Sequence, residues 1–119
     1  MSQIADLDHK LNEMILGGQI LEAFDQFYAD DVVMQENKKD PREGKAANRV
    51  YEEQFVGSVK EFHGAEVTAQ AASGDVSFTE WWMDITFQDG NRARLEQVAV
   101  RRWKNGKVVH ERFYYDTAA

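Results

Sequence analysis

The sequence predicts an α+β domain in which helices gathered at the front of the chain cover one face of a curved antiparallel sheet. Three observations lead there. Apolar residues recur at steps of three and four through the first half, the period changes to two from Ala65 onward, and the turn pairs Asp89-Gly90 and Asn105-Gly106 divide the second half into strands. Ile4, Leu7, Leu11, Met14 and Ile15 mark a first amphipathic helix behind a Ser2 cap, and Gly17-Gly18 ends it. Ile20, Leu21, Phe24, Phe27 and Tyr28 repeat the pattern over a shorter span that closes at Asp30-Asp31, before a short strand from Val32 to Glu36. The polar stretch from Asn37 to Gly44 carries the only proline and reads as a surface loop. Ala47, Val50, Tyr51, Gln54, Phe55, Val59 and Phe62 trace one face of a third helix.

Val67, Ala69 and Ala71 alternate with polar residues up to the turn at Ser73-Gly74-Asp75. A long strand then runs from Val76 to about Phe87, a second from Arg92 to Trp103 and a last from Lys107 to Tyr115. Both hairpin turns are expected to be type I′, whose central residues need positive φ. The short first strand is expected to join the edge of this four-stranded meander. No linker or repeat interrupts residues 1–119, which read as a single domain.

Composition narrows the function classes. The chain has 119 residues and no cysteine, which removes thiolate catalysis, disulfides and Cys-based metal sites. Its formal net charge of −7 repels phosphate backbones and anionic lipid, so neither nucleic acid nor a membrane is an expected partner. Apolar runs are far shorter than the roughly 20 residues of a membrane helix, and no signal-peptide pattern opens the chain, so a cytoplasmic address is expected. His9, His63 and His110 share no metal-ligand spacing, and no Gly-rich phosphate loop or Ser-His-Asp order occurs, so no metal or cofactor is expected.

Phe27-Tyr28-Ala29-Asp30-Asp31-Val32-Val33-Met34, the stretch from Gly44 to Phe55, and the run from Gly106 to Asp116 resemble, in order and spacing, the SnoaL-like and ketosteroid-isomerase-like proteins of the nuclear transport factor two-like superfamily. The resemblance covers nearly the whole chain. It implies a cystatin-like α+β barrel, a cone whose sheet wraps a pocket plugged by three N-terminal helices. It also implies binding of a hydrophobic small molecule and dimerisation through the convex sheet face. Isomerases, polyketide cyclases, epoxide hydrolases and non-catalytic members share this fold, so activity has to be argued from the site.

Strand alternation, anchored on that resemblance, assigns the lining. Met34 and Glu36 point inward from the first strand, and Tyr51 and Phe55 from the third helix. Thr79, Trp81, Met83 and Ile85, then Leu95, Gln97, Ala99 and Arg101, and finally Glu111, Phe113 and Tyr115 follow. Phe78, Trp82, Val98, Val100 and Tyr114 fall on the opposite face and form the expected homodimer surface.

Glu36 falls where a ketosteroid isomerase carries its general base, and a carboxylate in an apolar cavity can be tuned to take a proton beside a carbonyl. The competing reading pairs it with Lys38, Lys39 or Arg42. The isomerase's oxyanion donors fall on Asn12 and Ala99, a weak donor and none, so efficient steroid isomerisation is not expected. Epoxide hydrolysis is excluded, because its groups fall on Met83, Trp81, Phe113, Met34 and Glu36. Cyclase chemistry through an enolate stays open, although histidine and aspartate partners at inward positions are not evident, and so does a non-catalytic ligand-sensing role. Arg101 and Glu111 are expected either to pair inside the cone, where a ligand carboxylate or phenolate competes for Arg101, or to form a rim ion pair. Gln97 either orients a ligand carbonyl or bonds to backbone.

Overall fold

The computed structural model describes residues 3–116, so the cap assigned to Ser2 lies outside the described residues. In chain order it has α1 (Gln3–Leu16), α2 (Ile20–Phe27), β1 (Tyr28–Glu36), β2 (Arg42–Glu43), α3 (Lys45–Ser58), β3 (Val59–Ser73), β4 (Val76–Phe87), β5 (Arg92–Lys104) and β6 (Lys107–Tyr114). The predicted α+β class holds. The strands form a curved, unclosed sheet in the order β2-β1-β6-β5-β4-β3.

The meander from β3 to β6 is antiparallel throughout. Its other edge departs from the expected all-antiparallel sheet: β1 runs parallel to β6, with Met34 opposite Glu111 and Glu36 opposite Phe113. A parallel neighbour needs a long crossover, and α3 with the meander supplies it. The two-residue β2 lies on the outer side of β1, inside the stretch expected to be loop.

Several boundaries move for local reasons. Tyr28 already pairs with Val108, so β1 starts there, and the register shift between Tyr28 and Val33 leaves Asp30 and Asp31 exposed. α3 stops at Ser58, whose hydroxyl donates to the Phe55 carbonyl at 2.6 Å, and Val59 opens β3 by pairing with Phe87. Val59 and Phe62 therefore continue the helical spacing only in sequence. The Asn105-Gly106 turn has both central φ values positive, at 54° and 77°, as type I′ requires. Asp89-Gly90 does not. Only Gly90 is left-handed there, and the Asp89 carboxylate accepts the Asn91 backbone N–H at 2.9 Å, an Asx turn that settles a four-residue loop.

α1 ends in a Schellman motif. Gly18 sits at φ 83°, its N–H reaches the Ile15 carbonyl at 3.0 Å, and the Gln19 N–H reaches Met14 at 2.9 Å. The sharp stop folds α2 back on α1, whose inner face packs on β3 and β4. α3 packs on β1 and α2. The core between the helices and the sheet is built on Leu11, Phe24, Phe27, Val32, Ile85, Trp103 and Val108. Among the described residues no helix is long and apolar enough to cross a membrane.

Candidate functional site

Helices and sheet part to leave a cavity of about 310 Å³. α1 and α2 contribute Leu11, Ile15, Ile20, Ala23 and Phe24, and the strands contribute Tyr28, Trp81, Met83, Leu95 and Phe113. Of the predicted site residues, Glu36, Tyr51, Phe55, Trp81, Met83, Gln97, Arg101, Glu111, Phe113 and Tyr115 line it together. Met34 does not. It shares the inward parity of Glu36, but at that level the inward space is filled by core packing, and its side chain is 1% exposed. Leu95 is an inward residue of β5 that does reach the cavity, whereas inward Thr79, Ile85 and Ala99 are buried away from it.

Glu36 stands at the rim, and its partner is Arg42. The guanidinium Nη2 donates to Glu36 Oε2 at 3.0 Å, its Nε donates to the Asn48 side-chain oxygen at 3.1 Å, and its Cζ lies over the Tyr51 ring, 3.6 Å from the ring centre. The Tyr115 hydroxyl lies 3.5 Å from the other Glu36 oxygen. The rim is thus a connected set, with one carboxylate oxygen of Glu36 held by a fixed cation and the other facing a phenol.

At the floor the arrangement differs from an exposed ion pair. Arg101 and Glu111 are both wholly buried, Nε to Oε2 at 2.6 Å. Arg101 Nη1 also donates to Asp8 at 2.7 Å and to the Asn12 oxygen at 2.6 Å. Tyr28 donates its hydroxyl to the second Glu111 oxygen at 2.6 Å. Asp8 accepts further bonds from Ser77 at 2.8 Å, Thr79 at 2.7 Å and Gln70 at 2.8 Å. Burial works to raise the Asp8 carboxyl, but the charge and hydrogen bond of Arg101 with those of Thr79 and Ser77 bring it below the usual carboxylate range. For Glu111 burial wins and the carboxyl is raised despite Arg101 and Tyr28. The same environment drives the Tyr28 phenol well up, through burial and then the adjacent Glu111. A rim pair would be worth about 1 kcal/mol or less, whereas breaking a wholly buried pair exposes the desolvation cost of the charge left behind.

Glu52 belongs to the cavity and was not expected there. The inner side of α3 holds Asn48, Tyr51, Glu52 and Phe55, not Ala47, Val50 and Gln54 of the expected face, and Val50 is 52% exposed. Asn48 decides this. Its side-chain nitrogen donates to the carbonyls of Gly44 at 2.8 Å and Arg42 at 3.0 Å, clamping the helix start onto the preceding turn. Glu52 follows four residues later on the same face, and among the described residues no hydrogen bond or ion pair holds its carboxyl. Burial, then repulsion from Glu111 and Glu36, pushes it up from 4.5 to about 8. The only signal available in the sequence was the i, i+4 spacing from Asn48.

Against known proteins, the family model described as SnoaL-like domain matches residues 2–115. The chain belongs to this family. A protein from Mesorhizobium loti described as a SnoaL-like polyketide cyclase and, in brackets, a carbohydrate phosphatase is 29% identical, superposes with a TM-score of 0.82, and is matched over 96% of this chain and 100% of its own. An NTF2-like protein of unknown function from Burkholderia pseudomallei gives 19% identity, a TM-score of 0.83 and coverage of 99% and 94%. A protein from Jannaschia described as a SnoaL-like polyketide cyclase gives 12%, 0.80, and 98% and 90%. The latter two bear on the fold alone. No curated protein matches.

Within this SnoaL-like chain the two positions that match an isomerase's oxyanion donors do not face the cavity. Asn12 spends its nitrogen on Thr79 at 3.0 Å and its oxygen on Arg101, and Ala99 is wholly buried. On the outer face of the SnoaL-like sheet, Phe78 lies opposite Val100 and Val98 opposite Tyr114, with Phe78 39% and Tyr114 43% exposed. His63 lies in β3, bonded to Thr86 at 2.7 Å, and stands apart from the cavity mouth. His9 pairs with Glu13 on the outer side of α1.

Proposed function

We propose that this SnoaL-like domain takes a hydrophobic small molecule into the cone. The observation that carries the reading is the 310 Å³ cavity, whose wall is mainly aromatic and aliphatic but receives Glu36, Glu52, Gln97, Arg101 and Glu111 from α3 and three different strands. A concave apolar site with a few convergent polar groups is the general design of small-molecule sites. Native mass spectrometry of the protein as purified, and titration with the bicyclic ketone 2-tetralone followed by tryptophan fluorescence, test it. A bound species or saturable quenching is expected; no saturable binding by either measurement overturns the reading.

The second reading, proton transfer beside a carbonyl, is supported by the contrast between two carboxyls facing one space. Glu36 is ion-paired to Arg42, while Glu52 has no hydrogen-bond or ion-pair partner among the described residues and, with its carboxyl pushed up to about 8, holds a proton at neutral pH. An ion-paired carboxylate beside a carboxyl that burial keeps protonated is an arrangement that suits a general base and a general acid. Glu36 takes the proton and Glu52 supplies one, the chemistry of an isomerase or a cyclase working through an enolate. Hydrogen–deuterium exchange at the carbon next to the ketone of 2-tetralone, followed by NMR, measures it directly. Glu36→Gln is expected to leave binding intact and slow exchange by about a hundredfold or more. Exchange that survives Glu36→Gln unchanged removes Glu36 from the role, and binding without exchange leaves the ligand-sensing module as the function.

The partner we propose is a second copy of this chain, docked through the sheet face that carries Phe78, Trp82, Val98, Val100 and Tyr114.

A further inference from the structure

Two buried hydrogen-bond donors on residues of the cavity lack an acceptor among the described residues: Nη2 of Arg101 and Nε1 of Trp81. Both residues line the cavity, and the Arg101 guanidinium carbon lies 5.5 Å from the centre of the Trp81 ring, so the two residues that carry the free donors adjoin in the floor. Their isolation is specific to that place. The other indoles are satisfied, Trp103 by Ser77 at 2.9 Å and Trp82 by Glu66 at 3.2 Å. The remaining Arg101 nitrogens are engaged as well, by Glu111, Asp8 and Asn12. A buried donor without a partner costs about 1–3 kcal/mol, more on a charged group, and folded proteins leave few of them. Two on one wall of an apolar cavity mark where a bound molecule supplies the missing acceptor.

Resting on the small-molecule reading above, we propose that the ligand carries a carbonyl or phenolic oxygen that is seated between Arg101 Nη2 and Trp81 Nε1. Charge selects a neutral acceptor over a carboxylate. The one cation of the floor faces two buried carboxyl groups, Glu111 and Asp8, at 2.6 and 2.7 Å, so no positive charge is left over to offset the desolvation of an anion. Of the other charges bordering the space, Glu36 is matched by Arg42 and Arg94 by Glu96, while Glu52 keeps its proton, so among the described residues none of them offers an anion an unmatched cation. A neutral oxygen accepts both donors without adding charge. It also places a ligand carbonyl where a cation and an indole N–H receive electron density, in a part of the cone separate from the Asn12 and Ala99 positions.

The experiment compares three bicyclic compounds of nearly the same shape: 2-tetralone, tetralin without an oxygen, and tetralin-2-carboxylate. Binding to the full chain is followed by fluorescence and by the indole Nε1–H resonances in ¹⁵N spectra, with Trp82→Phe and Trp103→Phe assigning the Trp81 signal by elimination. 2-Tetralone is expected to bind about tenfold tighter than tetralin and to move the Trp81 indole proton downfield, while tetralin leaves that proton in place. Trp81→Phe keeps a ring against the cavity and is expected to reduce the ketone's advantage severalfold. Equal binding of 2-tetralone and tetralin with an unmoved Trp81 proton overturns the seat while leaving the cavity a ligand site. Tightest binding by the carboxylate overturns the neutral acceptor. Binding by none of the three overturns the small-molecule reading, and the seat with it.

Discussion

Glu52 shows how a single carboxyl couples the cavity to stability. Its proton is held to about 8 in the folded chain against 4.5 ordinarily, so between those values the folded state keeps a proton that the unfolded state has released. Stability therefore falls as pH rises through that window and levels off above it. Glu52→Gln removes the titration. Its melting temperature is expected to match the parent near about pH 5 and to exceed it by at least about 4 °C near about pH 8.5, measured by calorimetry. Equal pH profiles would show that Glu52 is better solvated than its place in the cavity implies. Arg101 acts in the opposite sense. Arg101→Met leaves Glu111 and Asp8 without their cation and is expected to cost about 3–5 kcal/mol in urea unfolding. The inward direction of Arg101 and Glu111 was legible from strand alternation anchored on the family resemblance, and so were seven other cavity residues, with Tyr51 and Phe55 read from the third helix. The third partner was not, because Asp8 lies 93 residues from Arg101, on a helix whose apolar stripe gives no reason to look for a carboxylate facing in. Glu52 escaped for a related reason: helical periodicity reads apolar side chains, and the inner face of α3 is set by the hydrogen bonds of Asn48.

Among the elements, those bounded by backbone chemistry were the ones the sequence spelled out. Gly17-Gly18 ends α1 through a motif that needs a left-handed residue, and Asn105-Gly106 has the residues of its turn type. The end of α3 could not be read, because Val59 and Phe62 keep a helical interval while the chain already pairs with β4, a tertiary override of local spacing. Two glycines give opposite predictions. Gly18→Ala forces a side chain into a φ of 83° and is expected to destabilise by about 1 kcal/mol. Gly57 sits within α3 with open space where a Cβ would project, so Gly57→Ala is expected to stabilise by about 0.5–1 kcal/mol. Urea midpoints of the two variants, read side by side, check both signs.

At the scale of the whole molecule, the outer sheet face decides whether the domain works alone. Trp82 lies on that face with Phe78, with the Arg94 guanidinium carbon over its ring at 4.2 Å, and Trp82→Glu introduces a charge into the face. The parent is expected to sediment as a dimer at micromolar concentration and the variant as a monomer; a monomeric parent removes the proposed interface. The α+β class and the order of elements were visible in the sequence, whereas the parallel placement of β1 was not, since periodicity carries no strand direction. That parallel pairing governs how the chain comes together in time. β3 to β6 are joined by tight turns and can zip up in succession, but Tyr28 meets Glu111 across 83 residues. Closing so long a loop is entropically slow. During synthesis β1 must therefore wait for its inner neighbour until β6 has left the ribosome, and the cavity, whose wall takes Glu111 and Phe113 from β6, closes last.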